Sequence, residues 1–108
     1  MPFYDLQEMT GVDRPGYSRR VVVGKNLMML RVEREAGVVN AHSHPNEQII
    51  YLLEGKAKFR LGDEERDIEA GQVIHVPSNL PHRIETLTPV RYLGIYSPPR
   101  EELIPDEG

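Results

Sequence analysis

The chain has 108 residues, 39% of them hydrophobic and 28% charged, which is enough for one folded domain with a core and too few for two. Its net charge of −4 and lack of a basic stripe argue against a nucleic-acid partner, and no apolar run approaches the roughly 20 residues that span a bilayer. Zero cysteines exclude disulfides, thiolate ligands and cysteine nucleophiles, and with no signal-peptide pattern at the start we expect a cytoplasmic protein without nucleic-acid or membrane partners.

Short apolar or alternating runs, separated by turn residues, predict an all-β fold. No segment keeps a 3.6-residue apolar period, whereas strand-like runs recur at intervals of about 8 to 12 residues. The predicted strands are residues 20–23, 27–32, 48–53, 57–61, 66–69, 73–76, 82–87 and 90–96. This pattern is typical of an antiparallel sandwich or small barrel. We expect one domain over 1–108, with a core barrel at about 20–97, an N-terminal strand or arm over 1–19 and an extended tail over 98–108.

Three histidines have the spacing of a metal site. His42 and His44 are separated by one residue, and on an extended strand such a pair points to the same side. His82 follows Pro81 on a distant predicted strand and would supply a third imidazole. Three imidazoles with an amide or a carboxylate suit a divalent Mn, Fe, Ni or Zn ion. We therefore predict one such ion as the cofactor, held inside a β-barrel.

The identity of the fourth ligand depends on which way the chain after the histidines faces. If the extended geometry continues through Pro45, Gln48 shares a side with His42 and His44, and Glu47 points away. A bulge at Pro45 would reverse this choice and make Glu47 the ligand. Strand alternation therefore favours Gln48.

The two histidine motifs resemble those of the cupin superfamily. The first family motif runs from a glycine through His-x-His to a glutamate and a second glycine, and the second runs from a glycine through Pro-x-Gly to a histidine. The matching positions here are Gly37, His42, His44, Gln48 and Gly55, followed by Gly71, Pro77, Asn79 and His82. The resemblance covers residues 37–82. It implies an antiparallel jelly-roll barrel of about six to eight strands, a metal bound by the histidines and a homodimer.

Two departures from the family pattern concern the site. Asn79 replaces the turn glycine, and asparagine tolerates the positive φ that such a turn needs. Gln48 stands where the family has a glutamate ligand, and glutamine takes that role in small members with the form His-x-His-Pro-x-Glu-Gln. A neutral ligand set leaves the charge of the ion uncompensated, which favours an anionic substrate.

The end of the chain resembles a narrower group of cupins. Residues 96–101 (Tyr-Ser-Pro-Pro-Arg-Glu) are similar to the tail of small cupins that open the ring of unsaturated uronates released from pectin or alginate. By that resemblance Tyr96 and Arg100 are candidate catalytic residues, the arginine as a clamp for a carboxylate. The alternative is that Tyr96 packs in the barrel and Arg100 is solvated. The acid of those enzymes corresponds to Gly94, so one of their groups is missing here.

These observations support three functional hypotheses. The first is a metal-dependent enzyme that acts on a small oxygen-rich anion, such as a sugar acid or an oxo acid, by proton transfer, isomerisation or ring opening. The second is a dioxygenase, which needs iron and adjacent open coordination positions. The third is a non-catalytic module that binds a metal or a small ligand. Turnover separates the enzymes from the binder, and a requirement for oxygen and iron separates the two enzymes.

Overall fold

Ten β-strands and one short 3-10 helix make up the regular structure of residues 3–104, the part of the chain that this computed structural model describes. The strands are β1 (Val12–Arg14), β2 (Tyr17–Val23), β3 (Met28–Arg34), β4 (Gly37–His42), β5 (Glu47–Glu54), β6 (Lys56–Leu61), β7 (Glu64–Glu69), β8 (Val73–Val76), β9 (His82–Thr86) and β10 (Val90–Ser97). The all-β prediction is confirmed. The number of strands exceeds the expected range, because β1 and β4 were not predicted as separate strands.

The strands form two antiparallel sheets that face each other. One sheet has the order β1-β2-β3-β10-β5-β8 and the other has the order β4-β9-β6-β7. Strands that are distant in sequence are neighbours in each sheet, as β3, β10 and β5 are, so the chain passes repeatedly between the sheets. Such crossing over is the topology of a jelly roll, which confirms the predicted fold class.

The predicted facing of the strand after the histidines is also confirmed. In β5 the side chains of Gln48, Ile50 and Leu52 are buried, whereas Ile49 and Tyr51 are 42% and 41% exposed. β9 alternates in the same way, with His82, Ile84 and Thr86 buried. Alternation of side chains on a strand therefore identified the inner face of the barrel correctly.

The N-terminal arm is more regular than the sequence pattern suggested. β1 has only three residues, and it forms its backbone hydrogen bonds by pairing antiparallel with β2, with Val12 opposite Arg19. β2 begins at Tyr17, three residues before the predicted strand, because its first residues pair with the end of β3. Both strands belong to the six-stranded sheet.

The C-terminal tail was expected to be extended, and the structure differs over one turn. Glu101–Leu103 form a 3-10 helix in which the backbone N–H of Leu103 donates to the carbonyl of Arg100 at 3.0 Å. Leu103 packs against the buried residues of β2 and β3, and this contact holds the turn in place. The expected fraying of residues 106–108 lies outside the described residues. Within residues 3–104 the structure contains no helix long and apolar enough to cross a membrane.

The apolar core has two parts. One part joins the sheets and includes Ile50 and Leu52 of β5, Phe59 of β6 and Ile84 of β9. The other part lies on the six-stranded sheet and consists of Val21, Met28, Leu30, Val32 and Tyr96. Full burial of each large side chain contributes roughly 1.5–3 kcal/mol, so these contacts fix the separation of the sheets around the site.

Candidate metal centre

The three predicted histidines converge at one end of the barrel. Antiparallel pairing of β4 with β9 places His42 directly opposite His82. The ring centroids of His42 and His82 are 4.3 Å apart, those of His44 and His82 are 4.9 Å apart, and one ligand atom from each of the three lies within 4.8 Å of the others. These distances are short enough for three imidazoles to share one ion.

His44 does not lie on a strand, contrary to the expectation of a continuous extended segment. β4 ends at His42, and a register shift between Val39 and His42 precedes the motif. The loop that carries His44 is held by the turn before β9, where the backbone N–H of Asn79 donates to the His44 carbonyl at 2.7 Å. Asn79 has a φ of 64°, the positive value expected where the family has glycine.

Backbone hydrogen bonds orient two of the imidazoles. His44 Nδ1 lies 2.8 Å from the carbonyl oxygen of Asn46, and His82 Nδ1 lies 2.9 Å from that of Leu80. A carbonyl only accepts, so each Nδ1 carries the hydrogen and each Nε2 keeps its lone pair. This arrangement is typical of metal-binding histidines, whose second nitrogen donates to a carbonyl or carboxylate.

Gln48 points into the same cluster and Glu47 points away. Gln48 is 5% exposed, and its Nε2 donates to the hydroxyl of Tyr96 at 2.8 Å. Its Oε1 and His44 Nε2 are both buried with no hydrogen-bond partner in the described part of the chain. Glu47 instead contacts His75 Nε2 at 2.6 Å on the outer surface. A metal ion fits these residues, because it would accept lone pairs that otherwise stay unsatisfied.

Burial lowers the pKa of His44 and of His82 below the ordinary histidine value of 6.5. The backbone hydrogen bonds oppose this change, while the positive charge of Arg100 and the neighbouring imidazoles lower the two pKa values further. Both rings are therefore neutral at neutral pH, which is the state in which an imidazole binds a metal.

The two candidate catalytic residues lie beside the histidines. The Tyr96 ring is 7% exposed and its centroid is 5.6 Å from that of His44. The Arg100 guanidinium carbon lies 5.4 Å from the centre of the Tyr96 ring, and Arg100 Nε donates to a Glu102 carboxylate oxygen at 2.8 Å. Arg100 is therefore anchored rather than free in solvent.

Gly94 lies directly against two of these groups. A Cβ at this position would lie 3.3 Å from the Tyr96 ring and 3.5 Å from Gln48 Nε2. An acidic side chain there would stand directly against Gln48 and Tyr96. Burial raises the pKa of Tyr96 above its ordinary value of 10.0, so its hydroxyl stays protonated at neutral pH.

A cavity of about 410 Å³ connects the histidines with a set of residues that the sequence motifs did not single out. It is lined by His42, His82, Gln48, Tyr96 and Arg100, and further along by Arg14, Tyr17, Arg19, Arg34 and Tyr92. No carboxylate lines it among the described residues. Alternation could have identified these arginines, since Arg19 shares a face of β2 with buried Val21, and Arg34 shares a face of β3 with buried Val32.

A family model described as a cupin domain matches residues 28–96, a range that contains the three histidines, Gln48 and Tyr96. The chain is also 34% identical over 61 residues to an uncharacterized protein of Methanocaldococcus jannaschii. That alignment covers 54% of this chain and 49% of the archaeal protein, so the chain spans about half the length of this curated relative.

Solved structures with the same architecture include KdgF from Halomonas sp., which is 26% identical with a TM-score of 0.86. The match covers 94% of this chain and 97% of KdgF. An RmlC-like cupin from Shewanella frigidimarina is 21% identical with a TM-score of 0.87, covering 94% of this chain and 95% of that chain. The likenesses extend over both sheets.

Proposed function

This chain belongs to the cupin family, and we propose that it is a metal-dependent enzyme acting on a small oxygen-rich anion such as a sugar acid or an oxo acid. One observation carries the proposal: His44 Nε2 and Gln48 Oε1 are buried beside two further imidazoles and, among the described residues, have no hydrogen-bond partner. Buried polar atoms normally have partners. We therefore assign His42, His44, Gln48 and His82 as ligands of one divalent Mn, Fe, Ni or Zn ion.

A divalent ion in this position supplies Lewis acidity, which polarises a carbonyl and lowers the pKa of bound water. The residues around it favour an anionic substrate. Arg100 borders the cavity, and its guanidinium is held by Glu102 through Nε, which leaves its two terminal amino groups for a carboxylate of the substrate. The cavity lining contributes no opposing carboxylate among residues 3–104.

Tyr96 is the group that we propose moves a proton. Gln48 Nε2 donates to its oxygen, so the hydroxyl hydrogen of Tyr96 remains available to be donated to a substrate oxygen. Burial raises its pKa, which makes it an acid rather than a base at neutral pH. These properties fit proton transfer, isomerisation or ring opening, with Tyr96 taking part of the role that the missing acid at Gly94 has in the uronate-opening cupins.

The proposal is tested by elemental analysis of protein purified without added metal, followed by assays under nitrogen. Unsaturated uronates, aldonic acids and 2-oxo acids are followed by proton NMR in D2O, which detects both ring opening and exchange of carbon-bound hydrogen. We expect turnover by the metal-loaded protein and a loss of about 100-fold or more in Tyr96→Phe, as for removal of a general acid. Tyr51→Phe, on the outer surface, is the control and should keep full activity. Activity only with iron and oxygen, or metal without any turnover, would contradict the proposal.

We also propose that two copies associate through the outer face of the six-stranded sheet. Ile49 of β5 pairs with Ile95 of β10, and Tyr51 of β5 pairs with Val73 of β8. The exposed fractions of these four side chains lie between 36% and 58%, so they form an apolar surface across three adjacent strands. Contiguous apolar surface on a small chain is typical of an interface between subunits.

The double substitution Ile49→Lys/Tyr51→Glu is expected to convert this dimer to a monomer, because it places charges in the centre of the apolar surface. Sedimentation equilibrium measures the mass directly. Val38→Lys is the matched control, since Val38 is 49% exposed on β4 of the other sheet and should leave the mass unchanged. A wild-type protein that sediments as a monomer would contradict the proposed association.

A further inference from the structure

Three arginines surround Tyr17 at the end of the cavity away from the histidines. The guanidinium carbons of Arg14, Arg19 and Arg34 lie 4.7, 5.9 and 5.0 Å from the centre of the Tyr17 ring. All of them line the cavity that contains the metal cluster. Like charges repel, so the folded protein accepts an electrostatic cost to hold these groups together.

The strand registers fix how the arginines lie relative to the metal cluster. Gln48 pairs with Tyr96, and Tyr96 pairs with Met28 at the start of β3. Arg19 pairs with Val32, four residues further along β3, which corresponds to about 13 Å of strand. An arginine side chain shortens this separation, so a ligand with a chain of several carbons could contact both ends of the cavity.

The inner arginines lack the carboxylate partners that the outer ones have. Arg20, the outward neighbour of Arg19, is paired with Asp13 at 3.0 Å, and Arg91 is paired with Glu33 at 3.2 Å. In residues 3–104 no carboxylate lies within 4.0 Å of a nitrogen of Arg19 or Arg34. The guanidinium of Arg19 instead donates to the hydroxyl of Tyr17 at 3.4 Å.

Neighbouring groups differ for the two arginines. Arg34 also borders a surface depression that contains Asp13, Glu33, Glu35 and Glu54, whereas Arg19 lines the interior cavity and does not line that depression. Burial raises the pKa of Tyr92 to about 12, and the nearby positive charge of Arg34 opposes this increase. Arg34 therefore lies close to Tyr92, and both Arg19 and Arg34 line the cavity in which a ligand would bind.

We infer that Arg19 and Arg34 form a second anion-binding subsite, so that the ligand carries two oxyanion groups at opposite ends of its chain. One oxyanion group is held near the histidines and Arg100, and the other is held by the guanidinium groups of Arg19 and Arg34. The inference rests on the proposed function for the position of the first group. It narrows the substrate class to molecules with an anionic group at each end, such as dicarboxylic or phosphorylated sugar acids.

The inference is tested with three six-carbon probes that differ only at one end. Gluconate carries one carboxylate, glucarate carries a second carboxylate at the other end, and 6-phosphogluconate carries a phosphate there. Isothermal titration of the metal-loaded protein should show that glucarate or 6-phosphogluconate binds about tenfold or more tightly than gluconate. The double variant Arg19→Gln/Arg34→Gln should lose this preference and keep the affinity for gluconate.

Arg31→Gln is the matched control, because Arg31 is on β3 but outside the cavity lining. This variant should keep the preference for the probe that has an anionic group at each end. Melting temperatures of all variants verify folding. Equal affinity of wild type for the three probes, or a preference that survives in the double variant, would overturn the inference. Metal content is measured in the same samples, so failure of the metal site and failure of the arginine subsite are distinguishable.

Discussion

Replacement of His44 or His82 by alanine is expected to lower metal affinity by more than about 100-fold and to abolish metal-dependent activity. Each substitution removes one of three imidazoles whose ligand atoms lie within 4.8 Å of one another. Loss of a residue that merely orients a ligand already costs about 10–100-fold in metal affinity, and loss of the ligand itself costs more. His44 lies in a loop and His82 lies on a strand. An effect shared by both variants is therefore due to the loss of a metal ligand and not to a change in one local structure.

His44 lies in the loop between β4 and β5, where its ring also donates a hydrogen bond to the Asn46 carbonyl. His82 is the first residue of β9. If the cluster binds the metal, both variants should lose the bound metal, although one substitution is in a loop and the other is on a strand. Elemental analysis after dialysis against one equivalent of metal gives the stoichiometry. The melting temperature with and without metal gives a second readout, because a ligand that binds only the folded state raises it.

His75→Ala is the control for this experiment. His75 is exposed, contacts Glu47 on the outer surface and does not belong to the cluster. The His75→Ala variant should bind one equivalent of metal and show the same metal-dependent rise in melting temperature as the wild-type protein. Stoichiometric metal in both His44→Ala and His82→Ala would show that the ion binds elsewhere.

The inner face of the barrel was predictable because alternation depends only on local strand geometry. Within β5 the period of two residues places Gln48 on the buried face with Ile50 and places Glu47 on the exposed face. The expected extended continuation from His44 through Pro45 was wrong, because the chain leaves the strand between His42 and Glu47. The turn at Asn79 was predictable for a related reason, since few residue types adopt its positive φ.

Long-range packing determines what the sequence pattern missed. β1 is too short to be recognised alone and exists because β2 pairs with it. The turn at Glu101–Leu103 depends on the contact of Leu103 with the core, which no local signal indicates. Arg19 and Arg34 resemble ordinary charged residues of an outer face, and only the position of their neighbours Val21 and Val32 reveals that they point inward.

Gln48→Glu is expected to raise metal affinity by about tenfold or more and to weaken the binding of an anionic ligand. A carboxylate is a stronger ligand than an amide for a divalent ion, and its charge attracts the ion across a buried, low-dielectric site. The same charge reduces the net charge of the occupied centre from +2 to +1, so a substrate carboxylate is attracted less. Metal affinity and anion affinity should therefore change in opposite directions.

The metal-free variant should be less stable than the metal-free wild type. Position 48 is 5% exposed, and a carboxylate there would be buried without the ion that compensates it. The rise in melting temperature on metal addition should consequently be larger in Gln48→Glu than in wild type. Competition with a chromophoric chelator gives the metal affinity, and titration with gluconate at saturating metal gives the anion affinity.

Gln48→Leu separates the ligand role from packing, because leucine has a similar volume and no donor atom. It should lose metal affinity and should also free the Tyr96 hydroxyl from its contact with Gln48 Nε2. If Gln48→Leu and Gln48→Glu both bound metal as tightly as wild type, Gln48 would not be a ligand, and three imidazoles with water would complete the centre. Opposite changes in the two variants would instead connect the amide directly to both the ion and the preference for an anionic substrate.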